Sequence, residues 1–266
     1  MEKYNVQFKK KYGQNFLRRK EVVENIVHVC DITKRDLVIE VGPGGAILTQ
    51  QLAQVAGHVL AYEIDVELKE ELEKKLKQVD NVTILYQDFL ESKIGSDIRQ
   101  FSFDNVYFVS NVPYYITTPI VMKLIECGIS FKKICMMVQK EVGERFSTLP
   151  GNKNYSSITV FLNYYYHIKK EFLVPREEFV PVPKVDSVIV SFTPKEELST
   201  LKNEDLFFRL VRDSFQYKRK NIRNNLVQYD LTVIEQVLKE YHFDLTVRAE
   251  QLSLEIFVAM ANALTL

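Results

Sequence analysis

"DLVIEVGPGGAILTQQLAQVAGHVLAYEID", residues 36–65, decides the fold. Its opening, "DLVIEVG", is a short apolar, β-branched run ending in glycine, which reads as a buried strand. After "GPGGA" the spacing of apolar residues in "ILTQQLAQVA" becomes that of a helix, and "HVLAYEID" (58–65) returns to a strand. The same alternation runs on. "NVTILYQD" (81–88), "FDNVYFVS" (103–110) and "KKICMMVQ" (132–139) are further strands, and "DSVIVSFTP" (186–194) is one more. "EVVENIVHVC" (21–30), "VELKEELEKKLKQ" (66–78) and "TPIVMKLIE" (118–126) have helical spacing, the second carrying Glu70–Lys74, Glu71–Lys75 and Glu73–Lys77 pairs in the favourable order. Strands alternating with helices predict an α/β fold with a mostly parallel, doubly wound sheet, whose ligands sit at the C-terminal strand ends.

The residues at those ends narrow the ligand. Gly42, Gly44 and Gly45 permit a tight turn and close approach. A dinucleotide-binding G-x-G-x-x-G would need glycine at position 47, where Ile47 stands, and Pro43 lacks an amide donor. No Lys-Ser/Thr follows, so a phosphate-cradling P-loop is excluded. Glu63, near the end of the next strand, stands where a carboxylate meets ribose hydroxyls. Asp88 ends the third strand and is placed to accept from an adenine amino group. S-adenosylmethionine fits these features, since it has a ribose and no phosphate.

The fourth strand runs into "NVPYYITTP" (111–119). Read blandly, it is a turn punctuated by Pro113 and Pro119. Read as a site, the side-chain oxygen of Asn111 and the carbonyl of Val112 or Pro113 accept both protons of an exocyclic amine, while Tyr114 stacks on an unpaired or flipped base. Methyl transfer to such a nitrogen needs positioning and no Ser, Cys or His nucleophile.

After 205 the pattern is helical only, in "DLFFRLVRDSFQY", "NIRNNLVQY", "LTVIEQVLKEY" and "LSLEIFVAMANAL", with "KEELSTLKNED" (195–205) as a linker and "PGNKN" (150–154) as a loop of the first domain. The expected division is therefore 1–197 and 198–266. The chain, 266 residues with 46% hydrophobic composition, is long enough for a substantial core. Cys30, Cys127 and Cys135 lack metal-ligand spacing and read as buried apolar residues, so no metal is expected. No apolar run approaches a membrane span and no secretory leader is evident, so the expectation is a cytoplasmic protein without membrane contact, a monomer sufficing. The four histidines suggest no role, and Tyr164–Tyr166 read as packing residues. Net charge is zero but unevenly spread: residues 1–20 hold seven Lys or Arg against one acid, and 209–223 hold six against one. Clustered cations are what a phosphate backbone responds to.

"KKYGQNFL" (10–17), "EVGPGGAILT" (40–49), "YEID" (62–65), "SNVPYYITTPI" (110–120), "VQKEVGERF" (138–146), "FVPVPKVDSVIV" (179–190) and "FQYKRKNIRNNL" (215–226) together resemble the small-subunit (16S) ribosomal RNA adenine N6,N6-dimethyltransferases of the KsgA/RsmA type. The resemblance covers nearly the whole chain. It implies a Rossmann-like class I methyltransferase domain with a small all-α C-terminal domain. The implied reaction is dimethylation of two adjacent adenosines in the 3′-terminal hairpin loop of small-subunit rRNA, on the immature subunit. Carried over by position, Asn15, Leu17, Gly42, Gly44, Glu63, Ile64, Asp88, Phe89 and Asn111 surround S-adenosylmethionine. Asn111, Val112, Pro113 and Tyr114 form the amine pocket. Phe179, which read alone before two prolines is a packing residue, covers the other face of the adenine. Lys10, Lys11, Lys218, Arg219, Lys220 and Arg223 are the RNA-contacting cations.

Two positions depart from the pattern. Ala46 replaces a glycine common in the turn, and Val112 stands where the family often has Leu and its macrolide-resistance relatives, which modify large-subunit RNA, often have Ile. "YYITTPI", "FQYKRKNIRNN" and "RAEQLS" speak for the small-subunit enzymes. A non-catalytic ribosome-assembly or nucleic-acid-binding factor is the other alternative. A DNA adenine methyltransferase lacks its acid-headed motif and target-recognition segment here, and a nicotinamide enzyme is disfavoured by Ile47.

Overall fold

The computed structural model describes residues 16–265. Within it the chain forms β1 (Phe16–Leu17), α1 (Lys20–Cys30), β2 (Leu37–Val41), α2 (Ile47–Val55), β3 (His58–Tyr62), α3 (Lys69–Leu76), β4 (Val82–Leu85), α4 (Ile94–Asp97), β5 (Val106–Asn111), α5 (Thr117–Glu126), β6 (Phe131–Gln139) and α6 (Lys140–Phe146). There follow α7 (Ser157–Tyr165), β7 (Tyr166–Val174), β8 (Phe179–Val180), β9 (Ser187–Pro194), α8 (Glu204–Ser214), α9 (Ile222–Asn225), α10 (Leu231–Glu240) and α11 (Leu254–Leu264). No described helix is long and apolar enough to cross a membrane.

Among the described residues two compact units emerge: 16–143 with 169–193, and 144–168 with 194–265. One boundary lies near the expected 197/198, but 144–168 belongs to the second unit. The cause is aromatic. On α7, Phe161 lies 4.8 Å from the Phe208 ring of α8, and Tyr164 lies 5.2 Å from Phe207. Loop 150–154 therefore sits in the second unit too, where the Gly151 amide donates to the Glu250 carbonyl at 2.7 Å.

The first unit is built on a seven-stranded sheet of order β4-β3-β2-β5-β6-β9-β7. β2 is central because "LVIEV" is buried at all five positions. It pairs in parallel with β3, Val41 opposite Tyr62, and with β5, Ile39 opposite Phe108. β3 pairs in parallel with β4, and β5 with β6, whereas β9 joins β6 antiparallel, Ile189 opposite Met137. Strand order reverses between β2 and β5, and the crevice at that switch point opens at the C-terminal ends. Behind the sheet, α1 and α2 bury Val23, Ile26, Leu48 and Leu52 against Val38, Val59 and Val109. Cys30 and Cys135 are in this core as expected, but Cys127 is only half-buried, since it caps the end of α5.

Sequence reasoning did not foresee the two-residue ladder of β1 and β8, with Phe16 opposite Val180 and Leu17 opposite Phe179. It ties "NFL" to "FVPVP". Strand β5 begins at Val106, three residues later than expected, because Asn105 instead donates from its side chain to Asp36 at 2.8 Å.

In the second unit α8, α10 and α11 bury Phe207, Leu210, Ile234, Leu238, Phe257 and Met260. Asn203, Asp230 and Ser253 accept from backbone amides at their N-termini. The helix expected over "NIRNNLVQY" ends early, at Asn225, whose buried side chain turns back to donate to the Ser214 carbonyl at 2.8 Å and the Tyr217 carbonyl at 3.3 Å.

Ala46, at the N-terminus of α2, has φ of 63°. A left-handed conformation costs a side chain roughly 1–2 kcal/mol, while glycine adds about 0.4–1 kcal/mol of unfolded-chain entropy. Ala46→Gly is therefore expected to stabilise the first unit by roughly 0.5–1 kcal/mol in denaturant unfolding. A destabilised variant would mean that the methyl contributes packing that outweighs the strain.

Candidate active site

The ends of β2, β3, β4 and β5, together with β1, enclose a cavity of about 390 Å³, all of it within the first unit. The turn after β2 makes the approach possible: Gly42 and Gly44 have φ of 70° and 49°. A Cβ at Gly44 would meet Phe16 Cε1 at 2.6 Å, and one at Gly42 would lie 3.9 Å from the ring of Pro113. So β1 lies over one side of the turn and the "NVPY" segment beside it.

Glu63 is 4% exposed, so it is not a solvated strand terminus. Its Oε2 accepts from the Gly44 amide at 3.3 Å and its Oε1 from the Asp65 amide at 2.8 Å. Burial raises its pKa, and these two amides offset the rise only in part. Asp88 Oδ1 accepts from the Leu90 amide at 2.8 Å, capping the turn that carries Phe89 into the cavity wall. Phe89 packs edge-on to Tyr62 with centroids 5.2 Å apart. Ile64, 43% exposed, borders the cavity.

On the opposite wall β5 delivers Asn111. Val112 is buried, and a turn from Tyr114 to Ile116 leads into α5. The Pro113 carbonyl accepts from the Ile116 amide at 3.1 Å. The Tyr114 hydroxyl is held to Ser187 Oγ on β9 at 2.6 Å, which fixes the ring plane. Tyr115, 56% exposed, also lines the cavity.

Leu17, Gly42, Gly44, Glu63, Ile64, Asp88, Phe89, Asn111, Val112, Pro113 and Tyr114 therefore converge on one cavity. Phe179 does not. It is 0% exposed, paired with Leu17 and packed in the core with Val174 and Ile189. Asn15, Lys10 and Lys11 lie outside the described residues. Lys218, Arg219, Lys220 and Arg223 are exposed on the second unit, on and beside the turn that Asn225 closes. Phe16 and Glu40 line the cavity unforeseen. A signal for Glu40 was present, since a charge inside an otherwise apolar strand is anomalous. For Asn225 none was, because its role depends on three carbonyls of a loop.

Among the described residues the lining carries Glu40, Glu63 and Asp88 and no Lys, Arg or His. An anionic phosphate would find no cation there, whereas a phosphate-free ligand bearing positive charge would find acids. Among the described residues no group of three or more His, Cys, Asp or Glu is placed to hold a metal ion.

A family model described as ribosomal RNA adenine dimethylase matches residues 5–266. The chain is 40% identical to the ribosomal RNA small subunit methyltransferase A of Bacillus pumilus, over 99% of this chain and 94% of that one. It is 41% identical to the protein of the same name from Latilactobacillus sakei, over 99% and 92%. Among solved structures, a dimethyladenosine transferase from Plasmodium falciparum superimposes with a TM-score of 0.77 at 27% identity, over 92% of this chain and 95% of that one. The 23S rRNA methyltransferase ErmE does so with 0.71 at 26%, over 94% and 100%.

Proposed function

The chain belongs to the ribosomal RNA adenine dimethylase family, and we infer from that membership and from its cavity that it is an enzyme dimethylating N6 of adenine in small-subunit rRNA. The finer reading is two adjacent adenosines in the 3′-terminal hairpin loop of an immature small subunit, acted on in the cytoplasm by a monomer. The observation that carries the chemistry is the meeting of Asn111, Val112, Pro113 and Tyr114 with Glu63, Asp88 and the glycine turn in one cavity.

S-adenosylmethionine fits the acid-lined cavity, and when bound it supplies an electrophilic methyl group on a sulfonium. Glu63, already held by two amides, is placed for the ribose hydroxyls, and Asp88 with Ile64 and Phe89 for the adenine of the cofactor. Asn111 Oδ1 and the Val112 carbonyl accept the two N–H bonds of the substrate amine, whose lone pair is otherwise delocalised into its ring. Held so, the nitrogen presents that lone pair to the methyl group. Tyr114, its hydroxyl tethered to Ser187, stacks on the flipped base.

Incorporation of labelled methyl into undermethylated small subunits, with large-subunit RNA in parallel, tests this reading. Dimethyladenosine in the small-subunit RNA is expected. Its appearance only in large-subunit RNA would move the target, and none in either would leave an assembly factor.

The exposed cations Lys218, Arg219, Lys220 and Arg223 are read as phosphate contacts. Reversing Arg219 and Lys220 to Glu is expected to weaken subunit binding by at least about tenfold near physiological salt and to flatten its salt dependence, with cofactor affinity unchanged. Unaltered subunit binding would make them a solvated face.

A further inference from the structure

Glu40 is the one charged residue of β2, and it is 1% exposed. Among the described residues its Oε2 and the hydroxyl of Thr49 on α2 each lack a partner within hydrogen-bond distance, although Thr49 is near enough to lower the pKa of the carboxyl in part. An ionised carboxylate without a partner is strongly disfavoured in such a place. The hydroxyl of Thr49 offsets that only in part. From the end of β3 comes Glu63, which adds like charge; from β5 comes neutral Asn111; from the end of β4 comes Asp88; and among the described residues no Lys, Arg or His lines the cavity. Burial first, and then the charge of Glu63, push the Glu40 carboxyl up to about 8. Yet Glu40 is one of the residues that line the cavity.

We propose that Glu40 is a proton-linked counter-ion of the cofactor site: a neutral acid beside the empty cavity, it gives up its proton to solvent when a cationic group of the cofactor, sulfonium or ammonium, enters. The inference rests on the cofactor reading above. The balance is simple: one carboxyl O–H breaks, its proton passes to buffer, and the carboxylate left behind faces the cation. The sign follows. Below pH of about 8 the free protein carries the proton and binding must expel it, so affinity rises with pH by up to tenfold per unit. Above that value the carboxyl is already ionised, and the dependence levels off.

Calorimetric titration of the full chain with S-adenosylmethionine and S-adenosylhomocysteine, in buffers of different ionisation enthalpy, counts the protons. Close to one proton released per ligand at pH 7, falling towards none at pH 9, with the release lost in Glu40→Gln, is the expected result. Release with S-adenosylmethionine alone points to the sulfonium, and release with both points to the ammonium; either upholds the proposal. Binding without release, or release undiminished in Glu40→Gln, overturns it. Absence of binding by either ligand overturns the cofactor reading itself, and the proposal with it. Should Glu40→Gln fail to fold, the parent chain decides by infrared spectroscopy: a protonated-carboxyl band at pH 7 that disappears on saturation supports the proposal, and a band that persists refutes it.

Discussion

Asn111→Ala is expected to lower methyl transfer to small-subunit RNA by about 10²–10³-fold, the loss that follows removal of one preorganised polar group from a reacting centre. The side chain ends β5, on the cavity wall opposite Glu63. Backbone pairing of Asn111 with Met137 of β6 does not depend on the side chain, so the truncation leaves the strand intact. The amine keeps one acceptor, the Val112 carbonyl, and loses the other. Its lone pair then returns to the ring, and the barrier rises. Cofactor binding is expected to stay measurable, because Glu63, Asp88 and the glycine turn are untouched. Single-turnover methylation with saturating cofactor separates the two effects. Near-normal turnover would remove Asn111 from the amine pocket.

The sequence and the structure agree most closely where one physical cause acts locally. Buried parallel strands must be apolar, so "DLVIEVG" and "HVLAYEID" declared themselves, and the acids closing each strand end fell into one cavity because a parallel sheet aligns its C-terminal ends. Non-local causes were not legible. Nothing in "NFL" or "FVPVP" alone states that they pair across more than 160 residues of chain, yet that ladder sets Phe16 against Gly44. The aromatic contacts that draw α7 to α8 are likewise invisible until Phe161 and Phe208 meet. Glu40 was visible as an anomaly but not as chemistry. A strand reading counts it as a polar interruption, and only its burial without a partner turns it into chemistry.

Phe179→Ala is the sharpest test of the difference between resemblance and structure. If Phe179 chiefly covers a substrate base, truncation raises the KM for RNA and leaves stability alone. The structure predicts the reverse. The ring is fully buried with Leu17, Val174 and Ile189, so its removal opens a cavity in a packed core, at a cost of about 3–5 kcal/mol. Denaturant unfolding followed in the first unit measures that loss. A functional consequence comes second-hand. Phe179 is the β8 partner of Leu17, and Leu17 adjoins Phe16, whose ring lies over Gly44. Loosening β8 therefore releases β1 from the cavity wall, and cofactor affinity is expected to fall with stability. Phe179→Leu separates packing from stacking, because it keeps most of the apolar volume at a cost below about 1.5 kcal/mol and discards the aromatic face. Near-normal kcat/KM for RNA in that variant upholds the packing role. A stable protein that binds cofactor normally but has lost RNA turnover would show that Phe179 leaves the core to meet the base.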